Sequence, residues 1–231
     1  MKILTCISKR RLESFLVWFA NLHPSFEAAD KLKQNFPEFI PKFAMNSAAA
    51  NLLRRRLSEM SIGLGWSAVP SPIEYSMARV IPQLQEGMSE EDFETLGRNP
   101  DSKIPGLLLL LLSDFIQQAW WVPELRERDW KLFLARKQIW ALLMPAGWEA
   151  PLNAPPRIPL EEAVFHLQSE ERRARRCGNT DCPAPFFFAN RKNQKFCRDE
   201  CAAPAKSAAK KRWWEERGIE WRQQRREHGK R

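Results

Sequence analysis

Histidine is scarce in this sequence, and so are the short motifs that mark many enzyme families. The three histidines are His23, His166 and His228, and none has the spacing of a metal site or an activated nucleophile. We expect His166 on a helix surface. The sequence also has no glycine-rich phosphate loop, no Gly-x-Ser-x-Gly and no His-Glu-x-x-His. We therefore expect no enzyme, although acidic residues far apart in sequence could still form a nuclease-like site.

Long apolar segments are lacking as well. The run Gly106–Leu112 contains six leucines, but Ser113 and Asp114 follow it, and a membrane span needs roughly 20 apolar residues. Charges at residues 9–11 fall where the apolar region of a signal peptide would have to continue. The sequence therefore predicts a buried core helix at residues 107–122, no signal peptide and no membrane contact.

Positive charge is concentrated toward the C-terminal end. Residues 172–231 contain 18 Lys and Arg against 7 Asp and Glu, a net charge of +11. Because the whole chain carries +9, residues 1–171 carry −2. A strongly cationic segment favours an anionic partner. Four of the five cysteines lie in the same region while Cys6 is far from them, and this odd number favours the reducing cytosol over secretion.

The remaining pattern is typical of a mainly α protein. Residues 1–144 form a predicted helical body. Its predicted helices and breaks are helices at 25–35, 44–60, 107–122 and 123–144, a helix start at 89, and loops at 63–72. Prolines indicate a linker at 145–158, and Pro159 suits the first turn of a connecting helix at 159–176. A zinc finger with a basic helical tail then occupies 177–231.

Four cysteines have the spacing of a metal site. The pattern is Cys177-x4-Cys182, then fourteen residues, then Cys197-x3-Cys201. Two close pairs joined by a short loop can place four thiolates around zinc at tetrahedral angles. The alternatives are free thiols in a disordered tail or two disulfides. We favour one zinc ion, and because four cysteines leave no open position, we expect its role to be structural.

Between the cysteine pairs, the sequence predicts a small β-hairpin. Residues 186–188 are three phenylalanines that suit a short strand, residues 190–193 favour a turn, and residues 194–196 could return antiparallel. Gly178 and Asn179 tolerate a positive φ, which suits a tight metal-binding loop. So few residues cannot fold around a core of their own, and we expect the metal to supply the folding energy.

A basic helix is predicted after Cys201, ending at about residue 217 before Gly218, with a further basic helical stretch at 221–226. Four of its side chains fall within about 60° of one another on a helical wheel: Lys206, Lys210, Trp213 and Arg217. A basic stripe with an aromatic side chain could bridge phosphates and stack on a sugar or base.

The hairpin turn could extend this surface through Arg191, Lys192 and Lys195. These seven residues are the predicted nucleic-acid contacts. The alternative is that Trp213 and Trp214 pack against the hairpin while the lysines are merely solvated. For Trp214 alone, packing is the expectation.

A resemblance to a known family rests on these residues: Cys177-x4-Cys182, Phe186, Asn190-Arg191 and Phe196-Cys197. They resemble the C-terminal zinc finger of the CGNR-type family, found in bacterial transcription regulators and named for a Cys-Gly-Asn-Arg motif. The resemblance covers residues 172–215. The family places Gly-Asn-Arg after its last cysteine, where this chain has Ala202-Ala203-Pro204. The resemblance implies a small zinc-bound, DNA-binding tail on a helical bacterial body.

Two functions from different classes follow as hypotheses. The first is a zinc-dependent nucleic-acid-binding protein, specifically a bacterial DNA-binding regulator of transcription, whose body would sense a ligand or form a homodimer. The second is a protein-interaction adaptor that uses the zinc finger and the Trp-rich tail. Salt separates them, because phosphate neutralisation makes log K fall steeply with log salt and an apolar protein contact does not.

Overall fold

The structure is a computed structural model that describes residues 7–40, 50–55, 72–86, 103–121 and 158–228. Its elements are α1 (Lys9–Ala20), α2 (Phe26–Asn35), a 3-10 helix (Pro37–Phe39), α3 (Pro72–Glu86), α4 (Ile104–Trp121), α5 (Pro159–Ser169), β1 (Ala174–Arg176), β2 (Phe186–Phe188) and α6 (Asp199–His228). Residues 50–55 are also helical. The predicted mainly α fold is confirmed. Cys6, the linker at 145–157 and the predicted helices starting at 89 and 123 lie outside the described residues.

Hydroxyl caps begin the first two helices. Ser25 Oγ accepts a hydrogen bond from the backbone N–H of Ala28 at 3.1 Å, and α2 ends just before Pro37, as predicted. Ser8 caps α1 in the same way through Arg11. Helix α1 was not predicted, although it has a sequence signal, namely this cap followed by apolar residues at helical spacing that are buried: Leu12, Phe15, Leu16 and Phe19.

Helix α4 is the centre of the core. It contacts α1, α2 and α3 and also β1, and Leu107 to Leu112 are all buried. The leucine run is therefore a buried core helix, as predicted. Among the described helices, none combines the length and apolarity needed to cross a bilayer.

The region around Pro72 corrects one expectation. Residues 63–72 were predicted as loops, but Pro72 is the first residue of α3, a position where its missing N–H and fixed φ suit a helix. Helix α3 is tied to α4 by the buried carboxylate of Asp114, which accepts hydrogen bonds from Ser76 at 2.7 Å and Arg79 at 3.0 Å. This buried charge is thus fully partnered.

The connecting helix is shorter than predicted. Helix α5 ends at Ser169, and Ala174–Arg176 forms strand β1 instead of continuing the helix to 176. Strand β1 pairs antiparallel with β2, with Arg175 opposite Phe187. The predicted strand at 186–188 is confirmed, but the predicted return strand at 194–196 is wrong. The edge of Phe186–Phe188 is taken by β1, which arrives first along the chain and also contacts α4.

The hairpin packs into the helical body. One continuous cluster of buried side chains runs from Leu12 on α1 through Leu167 on α5 to Phe188 on β2. The rings of Phe186 and Phe188 lie 6.0 and 4.9 Å from that of Trp120, which is 1% exposed. The hairpin therefore completes the core of the helical body.

Candidate metal centre and the basic surface beside it

Four cysteines from three segments meet at one point. Cys177 follows β1, Cys182 lies in the loop between the strands, Cys197 precedes α6 and Cys201 lies in its first turn. The four sulfur atoms lie within 4.8 Å of one another. The distance from Cys182 Sγ to Cys197 Sγ is 3.6 Å, from Cys197 to Cys201 3.5 Å, and from Cys201 to Cys182 3.6 Å.

These distances fit one metal ion and not disulfides. A tetrahedral thiolate site with metal–sulfur bonds of about 2.3 Å has sulfur–sulfur edges of about 3.8 Å. A disulfide would need about 2.05 Å, and all four cysteines are free. The alternative of two disulfides is therefore wrong for this structure. The predicted ligand set is the one that the fold brings together, and it could hold a metal ion.

Backbone hydrogen bonds hold the first cysteine loop. The N–H of Cys177 donates to the Pro185 carbonyl at 2.7 Å, and that of Gly178 donates to the Lys195 carbonyl at 2.8 Å. Gly178 does not adopt the positive φ that was expected. Its role is close approach, because an added Cβ would lie 3.4 Å from both the Lys195 carbonyl oxygen and the Phe196 ring. The two cysteine loops are thereby pinned to each other.

Strand β2 divides its side chains between two clusters. Phe186 and Phe188 enter the core of the body, whereas Phe187 packs with Cys177, Cys182 and Cys201. Successive strand residues point to opposite faces, so three consecutive phenylalanines can join both clusters. Strand β2 thus joins the metal centre to the core of the body.

The pKa values of Cys182 and Cys197 are shifted in the opposite direction from that of Cys201. Burial acts to raise the pKa of Cys201, but hydrogen bonds from Arg198 and the other thiols outweigh it and lower that pKa to about 7. Burial is the main reason why the pKa values of Cys182 and Cys197 are raised. One thiolate therefore forms readily near neutral pH, and binding of a metal would displace the remaining protons.

Asn21, which ends α1, fastens the hairpin to the body. Its amide side chain donates to the Phe186 carbonyl at 2.9 Å and accepts from the Phe186 N–H at 3.0 Å, so it satisfies the free edge of β2. On the other strand, Trp120 Nε1 donates to the Arg175 carbonyl at 3.1 Å. No sequence signal identifies these two residues, because a lone Asn or Trp has many possible roles.

Charged groups form a second fastening. Arg173 donates to Glu13 on α1 at 2.6 Å and to the Ala189 carbonyl at 3.1 Å. His166 lies against this pair, 3.5 Å from the Glu13 carboxylate and 5.9 Å from the Phe188 ring. It was expected on a helix surface, but its side chain is only 12% exposed because β2 covers that face of α5. His166 is a packing residue of the junction.

The residues beside the metal centre form a basic groove of about 610 Å³. We call this the basic groove and define it by its charged residues: Arg191, Lys195, Arg198, Lys206 and Asp199. All five are exposed. Lys206 pairs with Asp199 at 2.9 Å, and the pKa of Asp199 is lowered chiefly by this hydrogen bond, with the charge of Arg191 contributing. Four cations against one anion leave a net charge of +3.

The other predicted contacts lie away from the groove. Lys192 is exposed on the same loop, while Lys210, Trp213 and Arg217 are exposed farther along α6. The helix was expected to end at about Arg217, but it continues through Gly218 to His228. From residue 203 to residue 225, every side chain of this helix is exposed. A rise of 1.5 Å per residue makes this exposed segment about 33 Å long.

The expected packing of Trp214 against the hairpin is not what the structure has. Trp213, Trp214 and Trp221 contact one another on α6, with ring centroids 5.0 to 6.3 Å apart. Their exposed fractions are 40%, 39% and 38%. We call these three residues the tryptophan cluster.

Comparison with known proteins returns no relative. No family model, no curated protein and no solved structure matches this chain. The resemblance to the CGNR-type finger therefore rests on the residues that carry it.

Proposed function

We propose that this protein is a zinc-dependent nucleic-acid-binding protein, and specifically a DNA-binding regulator of transcription, as the resemblance implies. The observation that supports it most is the basic groove. Arg191, Lys195, Arg198 and Lys206 come from a loop and a helix that the four cysteines hold together.

Zinc is the metal that this donor set favours. Four thiolates are soft ligands, and tetrahedral four-sulfur sites typically hold zinc or iron–sulfur centres. With all four positions taken by protein, the ion has no open site for catalysis, so its role is structural. A reducing cytosol keeps the thiols free to bind it. Zinc would hold the loop at 190–198 against the start of α6 and so fix the positions of the groove cations.

The groove suits phosphate because its cations are exposed and outnumber its acid. The side chain of Arg198 is 58% exposed and that of Lys206 is 69% exposed, so both can reach a ligand without displacing buried contacts. Each phosphate that they neutralise releases condensed counterions, which makes binding depend on salt. Lys192, Lys210 and Arg217 would extend the positive surface along the loop and α6.

Fluorescence anisotropy with a labelled 20-base-pair DNA over a range of salt concentrations tests this proposal. Replacing Arg191, Lys195 and Lys206 by Gln removes three cations, and the slope of log K against log salt should fall by about three. The control replaces Arg10, Lys31 and Lys33 by Gln. It changes the net charge equally, but those residues lie on α1 and α2, outside the groove.

Three outcomes are distinguishable. If the groove variant binds less tightly with a shallower slope and the control binds like the parent, the groove contacts phosphate. If the groove variant and the control bind equally, net charge alone attracts the nucleic acid and the groove is not its site. Absence of any salt-dependent binding would leave the adaptor function as the better account.

A further inference from the structure

The tryptophan cluster is the largest group of exposed aromatic side chains in the part of the chain that the structure describes. The Trp214 ring is nearly perpendicular to both neighbours, at 84° to Trp213 and 89° to Trp221. Exposed rings of this size are costly in water, because each could remove a large apolar area from solvent. They share a helix that no other described element covers, and this indicates contact with a partner.

Gly218 shapes this cluster. Glycine inside a helix is unfavourable by roughly 1 kcal/mol relative to alanine, so its presence calls for a local reason. A Cβ at residue 218 would lie 2.5 Å from Cε3 of Trp214. Gly218 therefore leaves room for the Trp214 ring to lie directly against the helix. A larger residue at position 218 would push the Trp214 ring away from the helix.

The charges around the cluster indicate an anionic partner. The guanidinium of Arg225 lies 4.9 Å from the centre of the Trp221 ring. Lys210 and Arg217 are exposed on the same side of α6, by their spacing from Trp214 and Trp221. A cationic ligand would be repelled here. Aromatic faces next to cations are instead the combination that binds single-stranded nucleic acid, in which bases stack and phosphates are neutralised.

By itself the tryptophan cluster offers less area than one side of a stable protein interface. About two-fifths of each ring is exposed, so the three rings together offer on the order of 300 Å². A stable protein interface buries about 800 Å² on each side. One or two stacked bases need far less area than that. Inside a duplex both faces of a base pair are already stacked, whereas an unpaired base has a face free for an aromatic side chain.

We propose that the tryptophan cluster stacks on unpaired bases, so that the nucleic acid bound by this chain has a single-stranded region. This rests on the proposed function and deepens it. Phosphates of the strand would lie in the basic groove and along Lys210 and Arg217, while the unpaired bases would lie on Trp213, Trp214 and Trp221.

The test compares three fluorescein-labelled probes at one salt concentration: a 20-nucleotide thymidine strand, a 20-nucleotide uridine strand, and a 20-base-pair DNA duplex. We expect Trp214→Ala and Trp221→Ala each to weaken binding of at least one single strand by roughly 5- to 150-fold, with little effect on the duplex and no change in salt slope. Ile219→Ala is the control, because Ile219 is 63% exposed on the same helix and lies outside the cluster.

Gly218→Ala separates stacking from helix stability. It removes no ring and should increase helix content, but its Cβ would displace Trp214. We therefore expect weaker single-strand binding together with higher helicity by circular dichroism. If the tryptophan variants and Gly218→Ala bind single strands like the parent, base stacking is refuted, while a duplex affinity that still depends on the groove cations would leave the proposed function intact. A dimer that these variants dissociate, seen by sedimentation, would assign the cluster to a second copy instead.

Discussion

Two groups of three aromatic residues have opposite environments in this protein. Phe186, Phe187 and Phe188 are each no more than 8% exposed, whereas Trp213, Trp214 and Trp221 are each about 40% exposed. The phenylalanines lie on a strand that has the body on one face and the cysteines on the other. The tryptophans lie on a helix that nothing covers in the described structure. Aromatic content is therefore no guide to role here, and the neighbouring elements decide whether a ring stabilises the fold or is free to bind.

The largest effect should come from the metal centre, because Phe187 packs against three of its cysteines. Cys182→Ser should abolish stoichiometric zinc binding, because it removes one of the four ligands. The effect should be large, since structural zinc sites contribute about 10–16 kcal/mol of apparent folding energy near pH 7. Metal analysis of the purified chain measures this, and hydrogen exchange should show the largest loss of protection at 177–201. Cys6→Ser is the matched control and should keep one zinc per chain. Full zinc retention by Cys182→Ser would contradict the four-cysteine site.

A comparison of one alanine substitution in each aromatic group should give the next largest effect. Phe188→Ala should lower the free energy of unfolding by about 3–5 kcal/mol, because it opens a cavity beside Trp120 in the core. Trp221→Ala should change it by no more than about 0.5 kcal/mol, because the ring is exposed. Urea denaturation of both variants measures the difference. Equal destabilisation by the two substitutions would remove the distinction between the groups.

The sequence predicted what local pattern determines. The α2 boundaries followed from Ser25 and Pro37, the burial of α4 from its leucines, and the metal ligands from cysteine spacing. The predictions failed where contacts between segments that are distant in sequence determine the structure. Strand β1 was assigned to a helix because residues 170–176 have a helical composition, but residues 174–176 are extended because they pair with Phe186–Phe188. The groove cations could be proposed from sequence, but the pairing of Lys206 with Asp199 and the course of α6 past Gly218 could not.

Asn21 tests how the strand that contains the three phenylalanines is held to the body. Asn21→Ala removes both hydrogen bonds to the backbone of Phe186 and leaves those groups without their partner, so we expect a loss of about 1–3 kcal/mol in unfolding free energy. Asn35→Ala is the control, because its amide makes one exposed bond to the Lys31 carbonyl at 2.8 Å. Urea titrations of the two variants that coincide would mean that Asn21 does not fasten the hairpin.

The smallest effect concerns pH. The hydrogen bond from Arg11 at 2.6 Å is the main reason why the pKa of Glu38 is lowered in the folded protein. A lowered folded pKa means that this pair adds stability above the unfolded pKa of about 4.5 and loses it as the pH falls through the folded pKa. The pair is partly exposed, so the gain should be below about 1 kcal/mol.

Melting temperatures of the parent and Glu38→Gln between pH 7 and pH 3 measure this contribution. The parent should be the more stable at pH 7, and the difference should vanish toward pH 3. Glu216→Gln, on the exposed part of α6, is the control and should parallel the parent. A difference between parent and Glu38→Gln that grows on acidification would contradict the sign.

Hydrogen exchange of the zinc-loaded chain, with and without a 20-nucleotide single strand, tests the central contrast most directly. In the free protein, amides of α1, α4 and β2 should exchange slowly, and those of α6 beyond residue 202 should exchange fast, because that segment is exposed to solvent in the described structure. Adding the strand should slow exchange at 190–198 and 206–221 and leave the core unchanged. Protection that appears in α1 to α4 instead, or α6 amides that are already as slow as the core in the free chain, would contradict the account.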